Sequence, residues 1–369
     1  MIRERVAIFL MVGDVSGVGG VERFYVDFIA ANQKKGYHNF DIITTRQGKK
    51  NILKLFPGFP GRHIYTFPTL NNRFSYSISC LSLYSIIKRR GYKIIHIANF
   101  DSYYEPLYDF ISDLTKITLN IIDCRFAPEF EDPRYLAIKR FIGKGHLSGI
   151  YSWYKNAEEP VHLLKSDMYF KAASYCFTNY ERFFPEEKTK TIVFAARLSM
   201  FKRPDHFVKA IAICMKQNAQ LIGEWEFLLY GNGEMDHEIR DLISKAGLSD
   251  IIKTGFSQHL NTVLNRSAVF VSTQMYENFT SLSMLEAMAS GNAIISYRVG
   301  QTDVFVQDKV NGILTEEKPE ALAEAMIHLM QNPLSLKSMQ EQSRKMACEV
   351  HNVDNFSEEC SDFWQTAMK

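Results

Sequence analysis

Short apolar, β-branched runs alternate along this chain with longer segments whose apolar residues recur at steps of three and four. This is the pattern of βαβ units around parallel sheets, and it predicts an α/β class. In the first half Val6 to Met11, Asp41 to Thr45, Ile94 to Ala98 and Thr118 to Ile122 read as strands, with a further one near Ser174 to Thr178. Between the first two a helix begins at about Val21; Val21, Tyr25, Phe28, Ile29 and Asn32 give it one mostly apolar face, and Gly36 is its stop. The second half has strands Thr191 to Ala196, Glu226 to Tyr230, Ile251 to Thr254, Val269 to Ser272 and Ala293 to Ser296. Helices Pro204 to Lys216, Glu234 to Ala246, Leu260 to Asn265 and Leu282 to Ala289 fill the gaps, and from Pro319 onward the chain reads as helical.

A length of 369 residues suits about two domains of 150 to 200 residues each. The pattern predicts two Rossmann-like domains in tandem, 1–188 and 189–351, with a junction near Pro185-Glu186-Glu187-Lys188-Thr189 and a closing helical segment at 352–369. Lys and Arg number 43 against 41 Asp and Glu, a net +2, so no overall field argues for nucleic acid as the partner. The six cysteines are scattered, with no Cys-x-x-Cys pair, which fits a reducing cytosol. Charge precedes the apolar run Val6 to Val12 as in a signal peptide, but a glycine-rich loop follows where a cleavage site should be. No apolar run reaches the ~18 to 20 residues that span a bilayer.

Gly17-Val18-Gly19-Gly20-Val21-Glu22 follows the first strand and opens the first helix, so its amides are placed to approach an anion; a tight strand-to-helix turn is the plain alternative. A dinucleotide fingerprint wants glycine where Glu22 stands and an acid after strand two, where Thr44, Thr45 and Arg46 occur. An NADP enzyme using Arg46 is the alternative this leaves. Arg197 and Lys202 end the first strand of the second half, and two cations there can neutralise a diphosphate and the charge that builds on a departing one. Further on, Tyr276-Glu277-Asn278-Phe279-Thr280-Ser281-Leu282-Ser283-Met284-Leu285-Glu286 joins a strand, a polar turn and a helix start. Amides around Phe279, Thr280, Ser281 and Leu282 suit phosphate, and Glu277 and Glu286 offer acceptors to sugar hydroxyls.

With these residues in order, the chain resembles the retaining, nucleotide-sugar-dependent glycosyltransferases of the GT-B fold, family four, also called glycosyl transferases group 1. Phe194 to Lys202, Gly231-Asn232-Gly233, Gly255-Phe256, Glu277 to Gly291, Gly300 and Asn311-Gly312-Ile313-Leu314 carry the resemblance. It implies two Rossmann-like domains facing a cleft that holds the site, with Arg197 and Lys202 on the diphosphate, Glu286 on the ribose and Glu277 on the donor sugar. It also implies that Phe256 and Ser257 border the base, that Gly19 and Gly20 lie near donor and acceptor, and that the last helix crosses back to the first domain. The donor would be a nucleotide sugar and the acceptor a glycan or lipid-linked saccharide, with no cofactor and no metal. No Asp-x-Asp occurs in the chain.

The chain departs from the family at two places. Eight residues separate Glu277 from Glu286 where the family has seven, so the turn carries an extra residue or Asn278 takes the first acid's place. The family's first-domain histidine has no counterpart at Ile122-Asp123; Asp123 and His96 are the acceptor-side candidates, and His96, inside a strand, also reads as a packed side chain. A nucleotide-sugar epimerase and a non-catalytic binding subunit are the other functions compatible with these residues. Basic residues in Ile86 to Lys93 and Arg134 to Lys144 suit peripheral contact with an anionic membrane or a solvated helix face, and place the chain in the cytoplasm or at the inner face of the membrane.

Overall fold

A computed structural model describes residues 4–12, 20–70, 72–122, 126, 133–257, 259–279 and 281–369. The chain forms two compact units, residues 1–177 with 353–369, and residues 178–352. The first unit runs β1 (Val6–Phe9), α1 (Gly20–Lys34), β2 (Phe40–Thr45), α2 (Arg46–Leu55), β3 (Ile64–Phe67), α3 (Arg73–Arg90), β4 (Ile94–Ile97), α4 (Glu105–Ser112), β5 (Lys116–Ile121), α5 (Pro133–Gly143), β6 (Leu147–Ser152), α6 (Glu158–Leu164) and β7 (Phe170–Ala172). The second runs β8 (Thr191–Ala195), α7 (Pro204–Gln217), α8 (Ala219–Gly223), β9 (Glu226–Tyr230), α9 (Asp236–Lys245), β10 (Ile252–Gly255), α10 (Leu260–Leu264), β11 (Val269–Ser272), α11 (Leu282–Ala289), β12 (Ala293–Tyr297), β13 (Gly312–Thr315), α12 (Pro319–Gln331) and α13 (Pro333–Glu349). The last helix, α14 (Val353–Met368), is part of the first unit.

Each unit is built on one parallel sheet, ordered β3-β2-β1-β4-β5-β6-β7 in the first and β10-β9-β8-β11-β12-β13 in the second. Parallel strands need a crossover between them, and helices covering both faces explain why β1, β8, β11 and β12 are buried along their whole length. The α/β class and the doubled Rossmann-like pattern are therefore as the sequence predicts. The expected strand at Ser174 to Thr178 is absent; the chain pairs just before it, at Phe170–Ala172, the short edge strand β7. The strands β3, β6 and β13 have no counterpart in the sequence reading.

The second unit begins at Thr178, ahead of the expected Pro185 to Thr189 junction, because the intervening residues are already bonded into it. The Phe183 carbonyl accepts from Arg344 at 3.0 Å, Glu186 donates its N–H to the Asn265 carbonyl at 2.9 Å, and Lys188 Nζ reaches the carbonyls of Leu264, Asn265 and Ser290 at 3.4, 3.0 and 2.6 Å.

In the first unit α14 buries Phe356, Cys360 and Trp364 on one face. Phe356 lies edge-on to Phe24 and Phe28, with centroids 5.0 and 5.3 Å apart, and Glu359 accepts from the Tyr151 hydroxyl at 2.7 Å and the Ser174 N–H at 3.0 Å. His96 belongs to this same interior. Its Nε2 pairs with the Tyr25 hydroxyl at 2.9 Å and its Nδ1 with Thr118 Oγ1 at 3.0 Å, while Asn120 donates to Tyr25 at 2.9 Å. At 1% exposure it is a packed core histidine, which corrects its candidacy for the acceptor side. Burial pushes the imidazole down to about 3. Between that value and the ordinary one near 6.5 the unfolded chain binds more protons than the folded, so this contribution to stability is lost as pH falls through the window. We expect the thermal midpoint of the intact chain to drop on acidification below about pH 6.5. His96→Gln should cost about 1 to 3 kcal/mol in a denaturant melt and flatten that slope; an unaltered slope in the variant would assign the acid loss to other groups.

Candidate active site

In the second unit the strand order reverses between β8 and β11: β9 and β10 extend to one side of β8, β11 to β13 to the other. Loops at the carboxyl ends of strands flanking such a reversal diverge and leave a crevice that suits ligands. The two loops that flank it here are 196–203, after β8, and 273–281, after β11. They carry Arg197 and Lys202, and Glu277 and Phe279.

The two loops are sewn together. Met275 donates its N–H to the Phe201 carbonyl at 2.9 Å, and Thr273 Oγ1 bonds the carbonyls of Lys202 and Arg203 at 2.7 and 2.9 Å. Lys202 Nζ donates to Gln274 Oε1, and Gln274 Nε2 donates to the Glu277 carbonyl. Arg197 is exposed on the first loop. Arg203 and Tyr276 both hold left-handed backbone, φ 46° and 65°, a conformation that costs a side-chain-bearing residue roughly 1 to 3 kcal/mol and gathers at functional sites. Tyr276 is exposed, with its ring 6.1 Å from that of Phe201.

Glu277 organises the second loop. Its Oε1 accepts the backbone N–H groups of Asn278, Phe279 and Gln301, each at 2.8 Å. Burial pushes its carboxyl above the usual value, although those donors pull the other way and Asp303 adds to the rise. Gly300, at φ 47°, lies so close that an added Cβ would stand 2.5 Å from Glu277 Oε2. Asn278 turns inward and bonds Ser272 and Ser296 Oγ at 2.9 and 2.8 Å, tying the turn to β11 and β12. Asn278 is thereby committed to the sheet and Glu277 to the backbone of the turn.

Phe279 is fully buried against Phe305, centroids 4.9 Å apart, and its N–H is spent on Glu277. Of the expected stretch, the Phe279 amide is thus bonded to Glu277 and the Ser281 amide to the Asn278 carbonyl at 3.2 Å, and Leu282 opens α11, whose N-cap Ser281 is extended and makes no side-chain cap. Ser281 and Leu282 are half-buried at that start, and Glu286 lies in the second turn, 7% exposed. At the end of β10 Phe256 is 63% exposed and Ser257 Oγ accepts the His259 N–H at 3.1 Å. The Gly255 carbonyl accepts from Gly231, whose own close approach admits no side chain, since a Cβ would stand 1.9 Å from the Ala196 carbonyl oxygen. Gly20 opens α1 in the first unit, where Arg46 is exposed at the start of α2. Gly19, Asp123 and Thr280 lie outside the described residues. Among the described residues no three metal-ligating side chains converge.

Residues 178–346 match the sequence family described as glycosyl transferases group 1. The second unit belongs to glycosyl transferases group 1. Relatives include an uncharacterized glycosyltransferase of Methanocaldococcus jannaschii, 25% identical over 189 residues that cover 50% of this chain and 47% of that one. Another is the O-antigen chain mannosyltransferase C of Escherichia coli, 27% identical over 148 residues, 38% of this chain and 40% of that one. The chain spans less than half the length of these curated relatives. Among solved structures, Anabaena HepE in complex with UDP and glucose aligns over 99% of this chain and 100% of its own, with a TM-score of 0.76 at 14% identity. That likeness shows the fold, GT-B.

Sequence reasoning singled out the cations and glutamates of this group 1 unit but missed Gln274 and the backbone role of Glu277. Glu277→Ala strands three backbone donors, two of them buried, and we expect it to destabilise the second unit by about 3 kcal/mol or more. A thermal melt of the full chain checks this; Glu277→Gln, which keeps an acceptor oxygen, should recover a large part of the loss.

Proposed function

We propose that the chain is a retaining glycosyltransferase that moves a sugar from a nucleoside-diphosphate sugar to a hydroxyl of a glycan or lipid-linked saccharide. The observation that carries this reading is the joining of the Lys202 loop and the Glu277 loop at the strand-order reversal, beside the start of α11. A diphosphate there meets Arg197 as a forked donor, Lys202 as a compact charge and the α11 amides as a dipole end. These stabilise the charge that grows on the leaving nucleoside diphosphate as the sugar–oxygen bond breaks.

In this reading Lys202 must exchange its bond to Gln274 for the phosphate, and Gln274 keeps the ammonium aimed at the crevice until then. Retention follows if the acceptor attacks on the face the leaving group vacates, the departing phosphate taking the acceptor proton; no enzyme nucleophile is used. Glu286 meets the ribose and Phe256 and Ser257 border the base. Glu277 acts on the donor sugar through the loop it shapes. The cations and amides do the work of a metal, so EDTA should leave turnover unchanged. In this reading the reaction runs in the cytoplasm. UDP and glucose in HepE make UDP-sugars the first donors to try.

Lys202→Ala and Arg197→Ala should each lower kcat roughly 10²-fold or more, the scale of one lost transition-state charge stabiliser. A nucleoside diphosphate at ~100 times its Kd should stabilise the fold by about 2.7 kcal/mol. Near-wild-type turnover in either variant, or a thermal response to NADP alone, would overturn the assignment. Sugar nucleotide converted without any acceptor would make the chain an epimerase, and tight donor binding with no turnover over a wide acceptor panel a binding subunit.

A further inference from the structure

Helix α3 is apolar on two sides. Its inner side, Ser79, Cys80, Leu83 and Ile87, is buried, and Cys80, Leu83 and Ile87 join the core of the first unit. On its outer side Phe74, Leu81 and Tyr84 are 75%, 70% and 48% exposed. With Ser77 and Lys88 they recur at alternating steps of three and four, which draws one straight stripe along the 18-residue helix, about 27 Å long. Beside the stripe runs a groove of about 630 Å³, lined by Tyr76, Cys80, Leu81 and Tyr84 of α3 and Phe110 of α4.

The charge around the stripe has one sign. No acidic residue occurs in α3; Arg73 is exposed at its start and Lys88 and Arg89 at its end, with Lys93 just beyond. Lys88 Nζ stands 5.8 Å from the centre of the Tyr84 ring, so cation and aromatic share one patch. Arg90 turns away to Asp41, at 3.0 Å. The acids on neighbouring α4 are already matched: Glu105 by Arg140 at 3.0 Å and Lys144 at 2.7 Å, and Asp109 by Lys144 at 2.7 Å. A soluble surface helix with an apolar outer stripe signals a partner.

We propose that the outer face of α3 docks on an anionic lipid bilayer, with Phe74, Leu81 and Tyr84 entering the interface and Arg73, Lys88 and Arg89 meeting lipid phosphates. Aromatic and aliphatic side chains on a basic helix are the combination that lies flat at a headgroup boundary, long cations reaching outward from an apolar bed. A second copy of the chain fits the stripe less well. Packed antiparallel it would set Arg73 against Lys88 and Arg89, and packed parallel it would set each cation against itself. Only an anionic surface satisfies the cations at both ends at once.

The test is sedimentation of the full chain with vesicles of phosphatidylcholine alone and of phosphatidylcholine mixed with phosphatidylglycerol, at low salt. We expect binding to the mixed vesicles only, weakening as salt rises. Lys88→Gln with Arg89→Gln should reduce partitioning roughly 25-fold, on the order of fivefold per charge, and Leu81→Ser should reduce it as well. These positions are exposed, so circular dichroism and the thermal midpoint should not move, which separates lost docking from lost folding. Failure of the wild-type chain to bind mixed vesicles, equal binding to neutral ones, or full binding by both folded variants would overturn the proposal. So would a dimer in sedimentation velocity that Leu81→Ser dissolves, which would give the stripe to a second copy. None of these readouts depends on turnover, so the proposal stands or falls apart from the glycosyltransferase reading.

Discussion

Parallel strand pairing is the constraint from which the rest of this structure follows. A strand can lie parallel to its sequence neighbour only if the chain crosses back over the sheet, and the crossover covers a face that would otherwise meet water. Both sheets therefore need apolar residues on both sides of their central strands, as in the wholly buried β8, β11 and β12. The same constraint sends every strand's carboxyl end to one edge. Starting each sheet near its middle then forces a reversal of order, at β1 and β4 in the first unit and at β8 and β11 in the second. The crevice that receives Arg197, Lys202 and Glu277 is a consequence of how parallel sheets are wound.

Within that crevice the polar groups serve the backbone first. Glu277 satisfies three main-chain donors, Gln274 spans Lys202 and the Glu277 carbonyl, and Asn278 anchors the turn to two serines. A buried carboxylate is costly unless its lone pairs are used, and three backbone donors on one oxygen meet that cost. The bonding holds Tyr276 in left-handed backbone and leads the chain into α11 at Ser281, an N-cap with no side-chain bond of its own.

Much of this was legible in the sequence, for a physical reason in each case. Central strands such as Val269–Ser272 declare themselves because burial on both faces demands an unbroken apolar run. Short or interrupted strands do not: the edge strand β7 is Phe170-Lys171-Ala172, and β6, next to it, contains Ser148 and Gly149, the latter small because Tyr169 packs over it. The ordered series of glycines, cations and glutamates located the loops of the group 1 unit. It could not reveal Gln274, whose partner Lys202 is 72 residues away. His96 shows the opposite failure. A histidine inside a strand reads alike whether it packs or acts, and only its bonds to Tyr25 and Thr118 decide for packing.

The far end of α11 is fixed by side chains. Its C-terminal carbonyls face two cations: Arg344 donates to the Ala289 carbonyl at 2.5 Å and Lys188 to that of Ser290 at 2.6 Å. Cations at a helix C-terminus oppose the negative end of its dipole and fix the last turn in place. Burial pushes the Lys188 ammonium down to about 7, yet three carbonyl oxygens converge on it, so the proton that desolvation would remove is the one the carbonyls hold. Arg344, which cannot lose its charge, shares the same end and also bonds the Phe183 carbonyl, so the helix stays clamped whichever way Lys188 titrates. Anchored there, α11 keeps its positive, N-terminal end beside the turn that Glu277 shapes.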